Sequence, residues 1–174
     1  MLVVAATERE LEGVGGLVCG IGPVDAAAAT ATALAAARRR PRAVLHVGLA
    51  GAHGFAEPEL VVGSEAVYCD PDSPLVTARE RPDSLLLARA RAAFPQARVC
   101  AIGTSARVGG TTGCDVEAME GFAVLRACAL AGVPALEVRA VSNEITEPDR
   151  ARWRFDDAFA ALHDAVKRLL PALQ

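Results

Sequence analysis

Aromatic residues are scarce: five Phe, one Tyr and one Trp in a chain of 174. The core must therefore be built from Ala, Val and Leu, whose small volumes let helices lie close on a sheet. Lysine is rarer still, with Lys167 alone among 18 basic residues, a compositional bias that assigns no function. The formal net charge of −3 lacks the basic excess that a nucleic-acid or anionic-membrane surface requires. The five cysteines (Cys19, Cys69, Cys100, Cys114, Cys128) form no CxxC pair. They are expected to be reduced, mostly buried thiols of a cytoplasmic protein. The histidines His46, His53 and His163 are too dispersed for a metal-ligand pattern, so no metal and no cofactor are expected. No apolar run is long enough to span a bilayer, since the uncharged stretch 26–37 is short and rich in Ala and Thr. The start, MLVVAATERE, has no basic leader and soon meets charge, so no signal peptide is expected.

What remains is 52% hydrophobic and 22% charged, a globular composition of one-domain length, and residues 1–174 are read as a single domain. Apolar runs predict strands over 2–6, 17–19, 43–47, 60–68, 98–102 and 135–141. Pro23 suits a first helical turn, and the Ala-rich segment 24–39 predicts a helix stopped by Pro41. Further helices are predicted over 84–94, over 117–130 before Gly132 and Pro134, and over 155–170. The last has apolar residues spaced by three and four. The segments 48–52 and 103–113 are expected to be loops. Strands and helices alternate, which predicts an α/β fold with a mostly parallel sheet.

Ligands of such sheets bind beyond the carboxyl ends of the strands. The segments found there are Thr7-Glu8-Arg9-Glu10, Gly20-Ile21-Gly22, Gly48-Leu49-Ala50-Gly51 and Ser142-Asn143-Glu144. Asp115, Glu117 and Glu120 cluster at the start of the helix predicted from 117, and the first two fit capping of its dipole. The GIG turn has Asp25 where a dinucleotide fingerprint has its third glycine, which weakens a plain dinucleotide-binding reading. The assembled cleft is glycine-lined and acidic, with Arg9 the only cation beside it.

Taken together, AATERELEGV (5–14), CGIGPVDAAAAT (19–30), HVGLAGA (46–52), VVGSEAVYCD (61–70), DVEAMEGFAV (115–124) and VPALEVRAVSNE (133–144) resemble the nucleoside phosphorylase/hydrolase family, on its nucleosidase side. Within the family they look most like the futalosine-cleaving nucleosidases of menaquinone biosynthesis, relatives of the methylthioadenosine/adenosylhomocysteine nucleosidases. The resemblance implies a three-layer α/β/α sandwich with a mixed, mostly parallel sheet. It further implies a purine nucleoside as substrate and a homo-oligomer, dimer or larger.

By the same resemblance, Glu10 falls where the family places the carboxylate that activates water. Met119 and Glu120 fall where it packs and holds the ribose, and Gly48, Ala50 and Gly51 line the substrate. The segment 69–114 is short for the family and its loop 103–113 offers no aromatic to stack on the purine, so Phe122 or a neighbouring subunit is expected to do so. Asn143 stands where adenine-specific members carry Asp, and an amide donor suits a 6-oxopurine, whose O6 and N7 both accept. The implied reaction is hydrolysis releasing hypoxanthine through an oxocarbenium-like state. The alternatives are adenine release, phosphorolysis and silent nucleoside binding. Phosphorolysis would need cations around a phosphate, and the strand ends supply only Arg9.

Overall fold

The computed structural model describes residues 1–109 and 113–173. Among them, eight strands and four α-helices follow one another: β1 (Leu2–Ala5), β2 (Leu17–Val18), α1 (Pro23–Ala36), β3 (Val44–Ala52), β4 (Leu60–Tyr68), β5 (Arg79–Glu80), α2 (Ser84–Ala93), β6 (Arg98–Thr104), β7 (Val116–Ala118), α3 (Gly121–Ala131), β8 (Ala135–Glu144) and α4 (Phe155–Ala172). Pro23 opens α1, Asp83 caps α2 by accepting from the Leu85 and Leu86 amides, and left-handed Gly132 ends α3.

The sheet is mixed. β1 lies parallel between β2 and β3, and β8 runs parallel beside β3. β4 pairs antiparallel with β8 and β5, and parallel with β6. β6 is parallel to β7, which returns antiparallel to the end of β3 through Gly51–Glu117 and Ala52–Val116. The pairings β3–β8–β4–β6–β7–β3 thus close into a ring. Its interior is filled by small and branched residues, Ala50, Ala52, Val61, Ile102, Val116, Ala118 and Val141.

Helices cover both faces. α2 and α4 pack against Leu45, Val47, Leu136 and Val138, with Leu162, Val166 and Leu169 forming the buried stripe of α4. α1 and α3 pack on Val4, Val44 and Ala135 through Ala26, Leu34, Val124 and Cys128. The expected α/β/α layering is present, with the ring at one end of the sheet. Among the described residues no helix is long and apolar enough to cross a membrane. All five cysteines are free thiols. Cys19 and Cys128 are buried and the other three half-buried, and burial raises the pKa of each thiol, to about 12 for Cys19 and Cys128 and about 11 for Cys69 and Cys100.

Three expected segments differ. The segment 48–52 is not a loop but the second half of β3, because its backbone is paired with β8 on one side and β7 on the other. The segment 117–130 is not one helix: residues 116–118 form β7 and the helix starts at Gly121. Of the loop expected over 103–113, Gly103 and Thr104 belong to β6 and residues 110–112 lie outside the described residues.

Candidate active site

Beyond the carboxyl ends of β1, β3 and β8 lies a cleft of about 440 Å³. Its floor is made by Thr7, Glu10, Ala50, Gly51, Met119, Glu120, Arg139, Ser142 and Asn143. Ile21, Arg107, Val108, Glu117 and Arg150 line it with Trp153, Phe155 and Phe159.

Glu10 sits on a single 3-10 turn, Arg9–Leu11, just past β1. Its Oε2 accepts from the Thr7 amide (2.8 Å) and hydroxyl (2.9 Å), and its Oε1 from the Leu49 amide (3.2 Å). The carboxylate is 6% exposed and aimed by three donors, an arrangement that fixes an anion without neutralising it. Gly48 backs it. A Cβ there would stand 2.8 Å from Glu10 Oε1 and collide with Arg139 Nη1.

Glu120 is the residue before α3. Its Oε1 accepts from the Gly22 amide (3.1 Å) and its Oε2 from both Arg139 terminal nitrogens (3.4 Å each). The GIG turn therefore spends its last amide on a protein carboxylate, which removes the phosphate-binding role a dinucleotide loop requires.

Arg139 is wholly buried and fully partnered. Nε donates to Glu137 Oε1 (2.8 Å), Nη1 to the Leu49 carbonyl (3.3 Å) and Nη2 to His46 Nε2 (2.6 Å). His46 faces the Val4 carbonyl through Nδ1 at 3.0 Å, so it holds its proton there and accepts from the arginine. Desolvation, with the Arg139 charge added, pushes the His46 pKa well below its usual value and keeps it neutral. Burial opposes the charge on Arg139, but Glu137, Glu120 and Glu10 outweigh it and raise its pKa.

Ser142 and Asn143 owe their shared position to a bulge. The β3–β8 register runs Ala50–Val141 and then Gly51–Asn143, leaving Ser142 as the extra residue. Consecutive strand residues normally face opposite sides, yet both of these line the cleft. Ser142 Oγ donates to Asn143 Oδ1 (2.9 Å), and Asn143 Nδ2 donates to the Glu144 carbonyl (3.1 Å). One Nδ2 hydrogen remains for a ligand.

The structure brings Glu10, Asn143, Ala50, Gly51, Met119 and Glu120 around one cleft. Gly48 lies behind it as the space for Glu10 and Arg139. Phe122 is a correction. Its ring turns into the core and stacks on Tyr68, with centroids 5.2 Å apart and planes 10° from parallel, because α3 begins at Gly121, later than expected, and its first turn directs the ring inward. The aromatics that do line the cleft are Trp153, Phe155 and Phe159.

Glu117 is a correction too. It is a buried β7 residue whose Oε1 accepts from the Gly109 amide (2.7 Å), not a helix cap. Arg9 is drawn away by Asp156 and lies over the Phe159 ring at 4.1 Å. The cations at the cleft are Arg139, Arg107 and Arg150, which the sequence motifs did not single out. Among the described residues no group of His, Cys, Asp and Glu is placed to hold a metal ion.

Gly121 gives a direct check on this packing. A Cβ there would run into both carboxylate oxygens of Glu137. Gly121→Ala is expected to destabilise the fold by roughly 1–3 kcal/mol through overpacking, read from the urea midpoint. An unchanged midpoint would mean that Glu137 does not lie against the start of α3.

Comparison with known proteins defines the class. Residues 14–173 match the Phosphorylase superfamily, and the chain belongs to that family. It is 39% identical over 189 residues to the futalosine hydrolase of Streptomyces coelicolor, covering 91% of this chain and 79% of that protein. A shorter match, 48% over 58 residues, is to the futalosine hydrolase of Thermus thermophilus, covering 33% of this chain and 26% of the relative. Among solved structures, the Streptococcus pneumoniae MTA/SAH nucleosidase superposes with a TM-score of 0.83 at 20% identity, covering 99% of this chain and all of the other, a likeness of fold.

Proposed function

We propose that this chain is an N-glycosidic hydrolase that releases hypoxanthine from futalosine or a closely related 6-oxopurine nucleoside. The observation that carries the reading is the pair of buried carboxylates, Glu10 and Glu120, held by different elements but open to one cleft that also presents the Asn143 amide. The similarity to futalosine hydrolase supports the choice of substrate.

Loss of a purine from C1′ leaves positive charge on the ribose ring and negative charge on the base, and water must arrive on the opposite face. Glu10 accepts a proton from that water, its orientation set by Thr7 and Leu49. Glu120 accepts from the ribose hydroxyls, and its charge favours the ring cation over the neutral ground state. Asn143 donates to the departing purine. Met119 packs on the sugar, and Phe155 and Phe159 form an apolar wall.

Hydrolysis is favoured over phosphorolysis because the Gly22 amide is taken by Glu120 and the buried Arg139 by its four partners, and because the relative that matches most of the chain is a hydrolase. The reading carries with it a cytoplasmic homo-oligomer serving menaquinone biosynthesis.

Asn143→Asp tests the base end. A carboxylate facing O6 has no donor unless protonated, and an unpaired contact of that kind costs roughly 1–3 kcal/mol. The kcat/KM for 6-oxopurine nucleosides is expected to fall about 5- to 150-fold, with adenine nucleosides suffering less. Chromatography of the released bases reads both. An unchanged ratio of hypoxanthine to adenine release would show that Asn143 does not read the base.

A further inference from the structure

Glu137 has no part in the reaction as described, yet it is among the most costly residues of the chain. It stands on β8 between Leu136 and Val138 and is wholly buried. Its Oε1 accepts from Arg139 Nε at 2.8 Å, and among the described residues Oε2 has no hydrogen-bond partner. The carboxylate lies against the first residue of α3, where Gly121 leaves room for it and the positive end of the helix dipole faces it. Desolvation raises its pKa and the arginine opposes that shift. As a neutral acid it would hold an O–H with no acceptor, whereas as an anion it meets a guanidinium and a helix start.

The charge count makes sense of this. Arg139 touches Glu120, the carboxylate assigned to the ribose, and shares the space over Gly48 with Glu10. A lone guanidinium there would offset Glu120 and repel positive charge developing on the sugar. His46 receives Arg139 Nη2 while remaining neutral, so it fixes the arginine without changing the charge.

Resting on the reaction proposed above, we infer that Glu137 is a charge-compensating positioning residue: it neutralises Arg139 from behind, so that the arginine holds Glu120 in place while the field at the ribose stays negative and favours the oxocarbenium-like transition state.

The test compares two hypoxanthine-bearing ligands, an iminoribitol whose ring nitrogen is protonated and a carbon-linked nucleoside whose ribose is neutral. Titration calorimetry on the wild-type chain, Glu137→Gln and Glu137→Asp gives the ratio of their affinities. Glu137→Gln is expected to lower that ratio about 10- to 100-fold and to lower kcat with little change in KM. Glu137→Asp keeps the charge and is expected to keep the ratio, although it melts earlier. A Glu137→Gln protein with an unchanged ratio, or with both affinities reduced equally, overturns the inference. Should Glu137→Gln not fold, Glu137→Asp decides: a ratio that survives the shorter side chain supports charge, and a ratio lost with the charge still present overturns it. A wild-type chain that releases no purine defeats the proposed reaction, whereas an active one with a ratio insensitive to Glu137 defeats this inference alone.

Discussion

Glu10→Gln is expected to slow base release about 10²- to 10⁴-fold while leaving KM nearly unchanged. The amide retains the size of the side chain, and its oxygen can still accept from Thr7 or Leu49, so the cleft keeps its shape. It cannot take a proton from water. The loss therefore falls on the chemical step, and single-turnover release of the base reads it directly. Glu8, two residues earlier, is the control: it is exposed and contributes nothing to the cleft lining. Glu8→Gln is expected to leave kcat unaltered. If Glu8→Gln abolishes turnover and Glu10→Gln does not, the assignment of the water-activating carboxylate is wrong.

Arg139→Met is expected to cost about 3–5 kcal/mol of stability, because it strands Glu137 and Glu120 as buried charges without their cation. For a chain of this size that lowers the thermal midpoint by roughly 6–20 °C. The deficit has a definite pH dependence. Carboxyls stranded in the core have folded-state pKa values above those of the unfolded chain, so they bind protons on folding. Their neutral form is tolerated below the unfolded value, and the penalty grows as pH rises from there. Melting Arg139→Met between pH 5 and pH 8 should show the gap to wild type widening with pH. A gap of less than about 1 kcal/mol, flat with pH, would show that the arginine is not the clamp on these carboxylates.

The elements with strong local signals were legible in the sequence. β4 over Leu60–Tyr68 and the amphipathic α4 follow from an apolar run and from three- and four-residue spacing. The segments that depend on distant partners were not. Gly48-Leu49-Ala50-Gly51 has the composition of a turn, and only pairing with β7 and β8 makes it strand. The ring of β3, β8, β4, β6 and β7 is closed by a three-residue strand that no local pattern announces.

Glu10 could be found because it stands just past the strand expected over 2–6, and Glu120 through the family resemblance of the segment 115–124. Arg139, Glu137 and His46 could not, because each is a lone polar residue inside an apolar strand, and only the fold brings the three together. A signal was present all the same. An Arg and a Glu two apart on a fully buried strand share a face and must answer each other, since neither charge can be left alone in the core. Phe122 was misplaced for the complementary reason. Its role depended on where α3 begins, and a shift of the helix start by a few residues turns a side chain from the cleft into the core.

The most direct test is a base-release assay on the purified chain with futalosine, inosine, methylthioadenosine and adenosylhomocysteine, without added phosphate, followed by chromatography of the free purines. The account predicts hypoxanthine from futalosine as the preferred reaction, with no requirement for phosphate and little or no adenine from the other two. Adenine as the main product, release that depends on phosphate, or no free base from any of the four over hours would contradict it.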